Sequence, residues 1–78
     1  MERIRWQDRI TISPTLRHGE PTVRGTRVPV AVVVGSLADG LTSDDIRKAY
    51  PQLSEEDIRA ALAYAADAVR SDTLVPLP

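Results

Sequence analysis

Prolines and glycines cut this 78-residue chain into short lengths before any other property has a say. Pro14, Gly19, Pro21 and Gly25 crowd one stretch, so residues 13–26 are expected to form a loop or an irregular hairpin. Before it, Ile10-Thr11-Ile12 alternates with polar neighbours and predicts a short half-buried strand ending at Ser13-Pro14. Thr22-Val23 and Arg27-Val28 are the β-like segments able to pair with it. A lone pair of short strands is barely stable in water, so it must pack on helices or against another copy.

Downstream, the same punctuation marks helices. The run Val30-Ala31-Val32-Val33-Val34 is ambiguous, because β-branched residues favour a strand. Its flanks favour a helix. Pro29 suits a first helical position, Val30, Val33, Val34, Leu37 and Ala38 follow helical spacing, and Gly40 suits the residue just past a helix end. A helix over Pro29–Asp39 is the reading adopted. Thr42 is a good N-cap for a second helix, with Asp44 and Asp45 near its positive end and Ile46 and Ala49 inward; Pro51 stops it near Tyr50. Ser54-Glu55-Glu56-Asp57 resembles a capping box, with Asp where Glu or Gln is usual, and starts a third helix over Glu55–Arg70. Ile58, Ala61, Leu62, Ala65 and Val69 are its expected buried stripe, and its alanines keep it thin enough for another helix to approach closely. The expected fold is mainly α: a homeodomain-like, three-helix (helix-turn-helix) domain over residues 1–70, preceded by a short N-terminal β element. A short apolar tail, residues 71–78, follows it.

Composition narrows the chemistry. There is no cysteine and a single histidine, His18, so thiolate sites, cysteine nucleophiles and histidine clusters are excluded. No apolar run approaches the length of a membrane span, and the Arg-rich start lacks a signal-peptide core, which predicts a cytoplasmic, membrane-free domain. Hydrophobic residues make up 42%, but nine are alanine, so the core is small and a homodimer is expected. The net charge of −1 hides an asymmetry. Arg3, Arg5, Arg9, Arg17, Arg24 and Arg27 face only three acids in residues 1–30, whereas acids outnumber bases in the remainder. A basic front suits nucleic acid or head-to-tail pairing, and also fits an ordinary solvated surface.

His18-Gly19-Glu20-Pro21-Thr22-Val23-Arg24-Gly25-Thr26-Arg27-Val28-Pro29-Val30 resembles the HGxPxxRGTR(I/V)P core of the bacterial family called domain of unknown function 433. The resemblance continues through Ala38-Asp39-Gly40-Leu41-Thr42, Tyr50-Pro51-Gln52-Leu53-Ser54 and Asp57–Tyr64, covering roughly residues 9–70. It implies a homeodomain-like helical domain and favours helix for the valine run. It also implies a VapB-type antitoxin that neutralises a cognate PIN-like ribonuclease toxin by direct binding, and leaves open whether the chain binds its own promoter DNA. Relatives often carry Cys where this chain has Arg17, so nothing rests on a thiol there. The alternative function is a stand-alone helix-turn-helix transcriptional regulator.

Individual residues carry these expectations unevenly. Arg17, Arg24 and Arg27 are the candidate DNA contacts, since a guanidinium binds an oxyanion through two parallel hydrogen bonds; a loop arginine can equally satisfy carbonyls or acids of its own chain. His18 is expected to hold the loop by local hydrogen bonds. Glu55, Glu56 and Asp57 read as capping and dipole residues rather than acid/base or metal groups. They stand where a helix-turn-helix protein reads base edges, so any DNA contact must use the N-terminal arginines or a modified docking mode. Trp6, Ile10 and Ile12 are the candidate dimer interface, with base stacking as a second role for Trp6. Arg70, Leu74, Val75 and Leu77 are the candidate toxin contacts, Arg70 for the acidic metal-binding site that the resemblance implies in the toxin. No cofactor, metal site or catalytic residue is expected, and the chain is read as no enzyme.

Overall fold

The computed structural model describes residues 3–13 and 19–71. Within them a single turn of 3-10 helix, Trp6–Asp8, leads into β1 (Ile10–Thr11), which pairs antiparallel with β2 (Thr22–Val23) in the register Ile10↔Val23, Thr11↔Thr22. Helices α1 (Val30–Ala38), α2 (Ser43–Ala49) and α3 (Glu55–Ser71) follow. The fold is therefore mainly helical, with three helices after a two-stranded sheet.

The valine run is helical because both its ends are defined. Pro29 stands at the N-cap, one place earlier than its expected first helical position, and its missing N–H leaves no donor unpaired there. At the other end Gly40 takes φ +97°, a conformation that other residues reach only with strain. It lets the Gly40 N–H donate to Leu37 O (3.0 Å) and the Leu41 N–H to Ser36 O (3.0 Å), a Schellman ending that closes the last turn.

The next two helices open on the same device. Thr42 Oγ1 accepts from the Asp45 N–H at 3.1 Å while Asp45 accepts from the Thr42 N–H at 2.9 Å. Ser54 and Asp57 repeat this pairing at 3.1 and 3.0 Å. Arg47 pairs with Asp44 and lies 3.9 Å from Glu55, linking α2 to the start of α3. The turn between these helices closes with the Leu53 N–H on Tyr50 O at 3.0 Å and turns Leu53 into the core.

That core gathers Ile10 and Val23 from the sheet, Val28, Val30 and Val33, then Ile46, Leu53, Ile58, Ala60 and Ala61. Two expectations need correction. Ala49 is exposed rather than inward, which leaves Ile46 as the buried anchor of α2. On α3, Ile58 and Ala61 of the expected stripe are buried, but Leu62 and Val69 are 43% and 56% exposed, and Ala60 and Ala63 are buried in their place. Besides α1 and the sheet, the N-terminal segment lies along α3. Trp6 meets Tyr64 edge-to-face with ring centroids 4.8 Å apart, and its Nε1 donates to Asp67 Oδ2 at 2.8 Å. Arg9 pairs with Asp57 at 3.1 Å and Arg3 with Asp67 at 3.5 Å. This clasp, together with α1 and the sheet packed on the same helix, sets which side of α3 faces inward.

Candidate functional site

Residues 21–30 build the most constrained loop of the chain. Strand β2 is followed by a reversal in which the Thr26 N–H donates to Val23 O at 3.0 Å, the i to i+3 bond of a β-turn. Gly25, third in that turn with φ +79°, supplies the left-handed conformation that a type II turn requires. The Thr26 hydroxyl donates to Val23 O at 2.8 Å and accepts from the Val28 N–H at 3.0 Å, bracing the turn from within. The chain then folds back along β2, the Val23 N–H reaching Val28 O at 2.9 Å and the Val30 N–H reaching Pro21 O at 3.0 Å. Of the two segments able to pair with β1, Thr22-Val23 does so, and Arg27-Val28 runs back beside β2. Thr22, fully buried beneath this hairpin, has an Oγ1 with no hydrogen-bond partner among the described residues.

Such bracing leaves Arg24 and Arg27 outside. Both are exposed. Arg24 donates from Nη2 to Gln7 O at 3.3 Å, and Arg27 has no hydrogen-bond or ion-pair partner among the described residues. The other described N-terminal arginines are engaged: Arg3 with Asp67, Arg5 with Asp8 and Arg9 with Asp57. Among the described residues, the basic front leaves two arginines without a carboxylate partner, Arg24 and Arg27, both on this turn. Arg17 and His18 lie outside the described residues.

The opposite character collects where α2 and α3 begin. Asp44, Asp45, Glu55, Glu56 and Asp57 stand in the first turns of these helices. The Thr42 backbone N–H, helped by the Thr42 hydroxyl and by Lys48, holds the Asp45 carboxyl below the ordinary aspartate range. A groove-reading start to α3 would push three carboxylates, Glu55, Glu56 and Asp57, towards phosphates, so the arginine turn is the better anion-facing surface of the two. Among the described residues no group of His, Cys, Asp and Glu could hold a metal ion, and no helix is long and apolar enough to cross a membrane.

The three residues expected at a dimer interface are not brought together on the surface. Ile10 is 3% exposed and belongs to the core, which corrects its expected role; Trp6 packs against α3, and only Ile12, half exposed, is open. Of the expected toxin contacts, Arg70 is exposed in the last turn of α3 with no partner among the described residues, and Leu74, Val75 and Leu77 lie outside them. Sequence reasoning missed Asp57 and Asp67 as anchors for the N-terminal segment. Their signal was present in the spacing, because Asp57, Tyr64 and Asp67 share one side of the helix while Arg3, Trp6 and Arg9 recur every third residue.

Residues 10–65, carrying the sheet, the arginine turn, α1, α2 and most of α3, match the family described as "Protein of unknown function (DUF433)". The chain belongs to the DUF433 family. A curated relative, the uncharacterised protein y4eO of Sinorhizobium fredii (strain NBRC 101917 / NGR234), is 46% identical over 56 residues. That match takes in 72% of this DUF433 chain and 25% of y4eO, so the chain spans about a quarter of the relative's length. Among solved structures, a DUF433 member from Anabaena variabilis ATCC 29413 superposes with a TM-score of 0.76 at 31% identity, over 83% of this chain and 64% of the other. The DUF433 fold seen here is thus shared with an experimentally determined relative.

Proposed function

We propose that this DUF433 domain is an antitoxin-type binding protein that neutralises a PIN-like ribonuclease toxin by occupying it rather than by catalysis. The observation that supports this reading is the end of α3. Arg70 stands exposed in the last helical turn, without a partner among the described residues, and the sequence after it, Leu74-Val75-Pro76-Leu77, is a short apolar segment of the kind that docks in extended form. An arginine followed by apolar anchors fits a ribonuclease groove lined by metal-binding carboxylates, since guanidinium and carboxylate pair through two parallel bonds. The test is co-purification from native cells with full-length protein and a 1–70 truncation in parallel. A ribonuclease retained and inhibited only by full-length protein is the expected result. Equal inhibition by the truncation removes the tail from the mechanism, and the absence of any captured ribonuclease defeats the reading.

A second reading is favoured by a different observation. Arg24 and Arg27, held outward on a braced turn and free of carboxylate partners among the described residues, suit phosphate contacts to operator DNA. A regulator acting alone and an antitoxin repressing its own promoter both use this surface, and only the first lacks a protein partner.

A further inference from the structure

Arg70 is unpaired among the described residues although a suitable acid stands one turn away. An acid and an arginine three apart on a helix are neighbours, with about 5–6 Å between their Cβ atoms. This chain forms such pairs, Asp44 with Arg47 on α2 and Arg5 with Asp8 around the 3-10 turn. Asp67 and Arg70 repeat the Asp44–Arg47 order inside α3, yet Asp67 pairs with Arg3 instead.

The reason lies in the clasp. Asp67 Oδ2 accepts from Trp6 Nε1 at 2.8 Å, and its Oδ1 faces Arg3 Nη1 at 3.5 Å. Both oxygens are thus turned to the N-terminal segment, where the Trp6 ring is itself seated edge-to-face on Tyr64. To take Arg70, Asp67 would have to leave Trp6, or the Arg70 guanidinium would have to stand beside that of Arg3, a like charge. The other helical neighbour on that side, four residues before Arg70, is Ala66, which has no acceptor to offer.

We infer that the clasp keeps Arg70 available: Trp6 and Arg3 occupy Asp67, which otherwise pairs with Arg70 within α3, and so leave that guanidinium free for a carboxylate of a partner. The identity of the partner rests on the antitoxin reading above, whereas the state of Arg70 rests on the clasp alone. Arg3 and Trp6 are then positioning residues for a contact that neither of them touches. An exposed pair of this spacing is weak, so without the clasp Asp67 captures Arg70 about half of the time.

Arginine side-chain NMR of the purified full chain tests this without any partner. In the native chain the Arg70 Nε–H should exchange with water as fast as that of Arg27, which is also exposed and without a partner among the described residues. In an Arg3→Ala, Trp6→Phe variant it should slow about twofold, and adding Asp67→Asn should return it to the native rate. Arg3 is exposed and Phe keeps a ring against Tyr64, so the variant retains the fold, which its amide spectrum verifies. An Arg70 rate untouched by the variant overturns the inference, and so does slowing that survives Asp67→Asn. Binding of the ribonuclease captured by full-length protein is the second readout. Affinity should fall about twofold in Arg3→Ala, Trp6→Phe and recover with Asp67→Asn, but not with Asp39→Asn, the same charge change at the end of α1. Recovery with both reduces the effect to net charge and overturns the inference. If no ribonuclease is captured the antitoxin reading falls, while the exchange rates of the free chain still decide the role of the clasp.

Discussion

At the scale of single residues, much of the order comes from side chains bonding to their own backbone. Thr26 illustrates it: one hydroxyl ties Val23 to Val28, and the two arginines beside it are carried outward as a consequence. Thr42 and Asp45 do the same for α2, and here the bond is also a proton balance. The Asp45 carboxylate accepts the Thr42 N–H, which keeps its pKa in the folded chain below the ordinary value of 3.8. A depressed folded pKa means that this group's contribution is complete above the ordinary value and is lost as pH falls through the lower one. The Asp45 carboxyl followed by NMR should therefore titrate below an unstructured aspartate, and Thr42→Val should move its midpoint back up. An unshifted midpoint in the native chain contradicts the capping role.

The elements show what can be read from a sequence and what cannot. Strand β1, the punctuation of α1 and both capping boxes follow from local rules, because Pro29, Gly40, Thr42 and Ser54 act on backbone within a few residues. The inward side of α3 does not. Leu62 and Val69 look like core residues by size, but beside Ile58 it is Ala60, Ala61 and Ala63 that are buried, because α1, the sheet and a segment some fifty residues earlier lie against that side. No periodicity within α3 carries that information. Turn chemistry placed Arg24 and Arg27 in a loop, while the engagement of Arg3 and Arg9 was carried only by the matching spacings of Arg3, Trp6 and Arg9 and of Asp57, Tyr64 and Asp67. The difference is measurable. Ala61→Leu should destabilise the fold by about 1–3 kcal/mol through overpacking. Leu62→Ala should change stability by no more than about 0.5 kcal/mol, as exposed sites do. Urea unfolding of the two variants checks the order, and a larger loss at Leu62 would reverse the assignment of faces.

Over the whole molecule, charge is sorted by position: two arginines without carboxylate partners among the described residues on the turn, and carboxylates gathered where α2 and α3 begin. If the turn meets operator DNA as proposed, replacing both arginines should lower the slope of log K against log salt by about 2, one for each phosphate left without its guanidinium. An unchanged slope in the Arg24→Ala, Arg27→Ala variant would assign DNA binding, if any, to another surface.

The clasp on α3 bears on how such a domain fits into longer chains. Arg3 is held at Asp67, four residues before α3 ends at Ser71, or about 6 Å along the helix. Entry and exit of the described chain therefore lie side by side. A fold whose two ends meet can be spliced into a host polypeptide with little disturbance to either, much as a side loop can be lengthened. A relative in which the matching segment is a quarter of the protein is the kind of architecture such geometry permits.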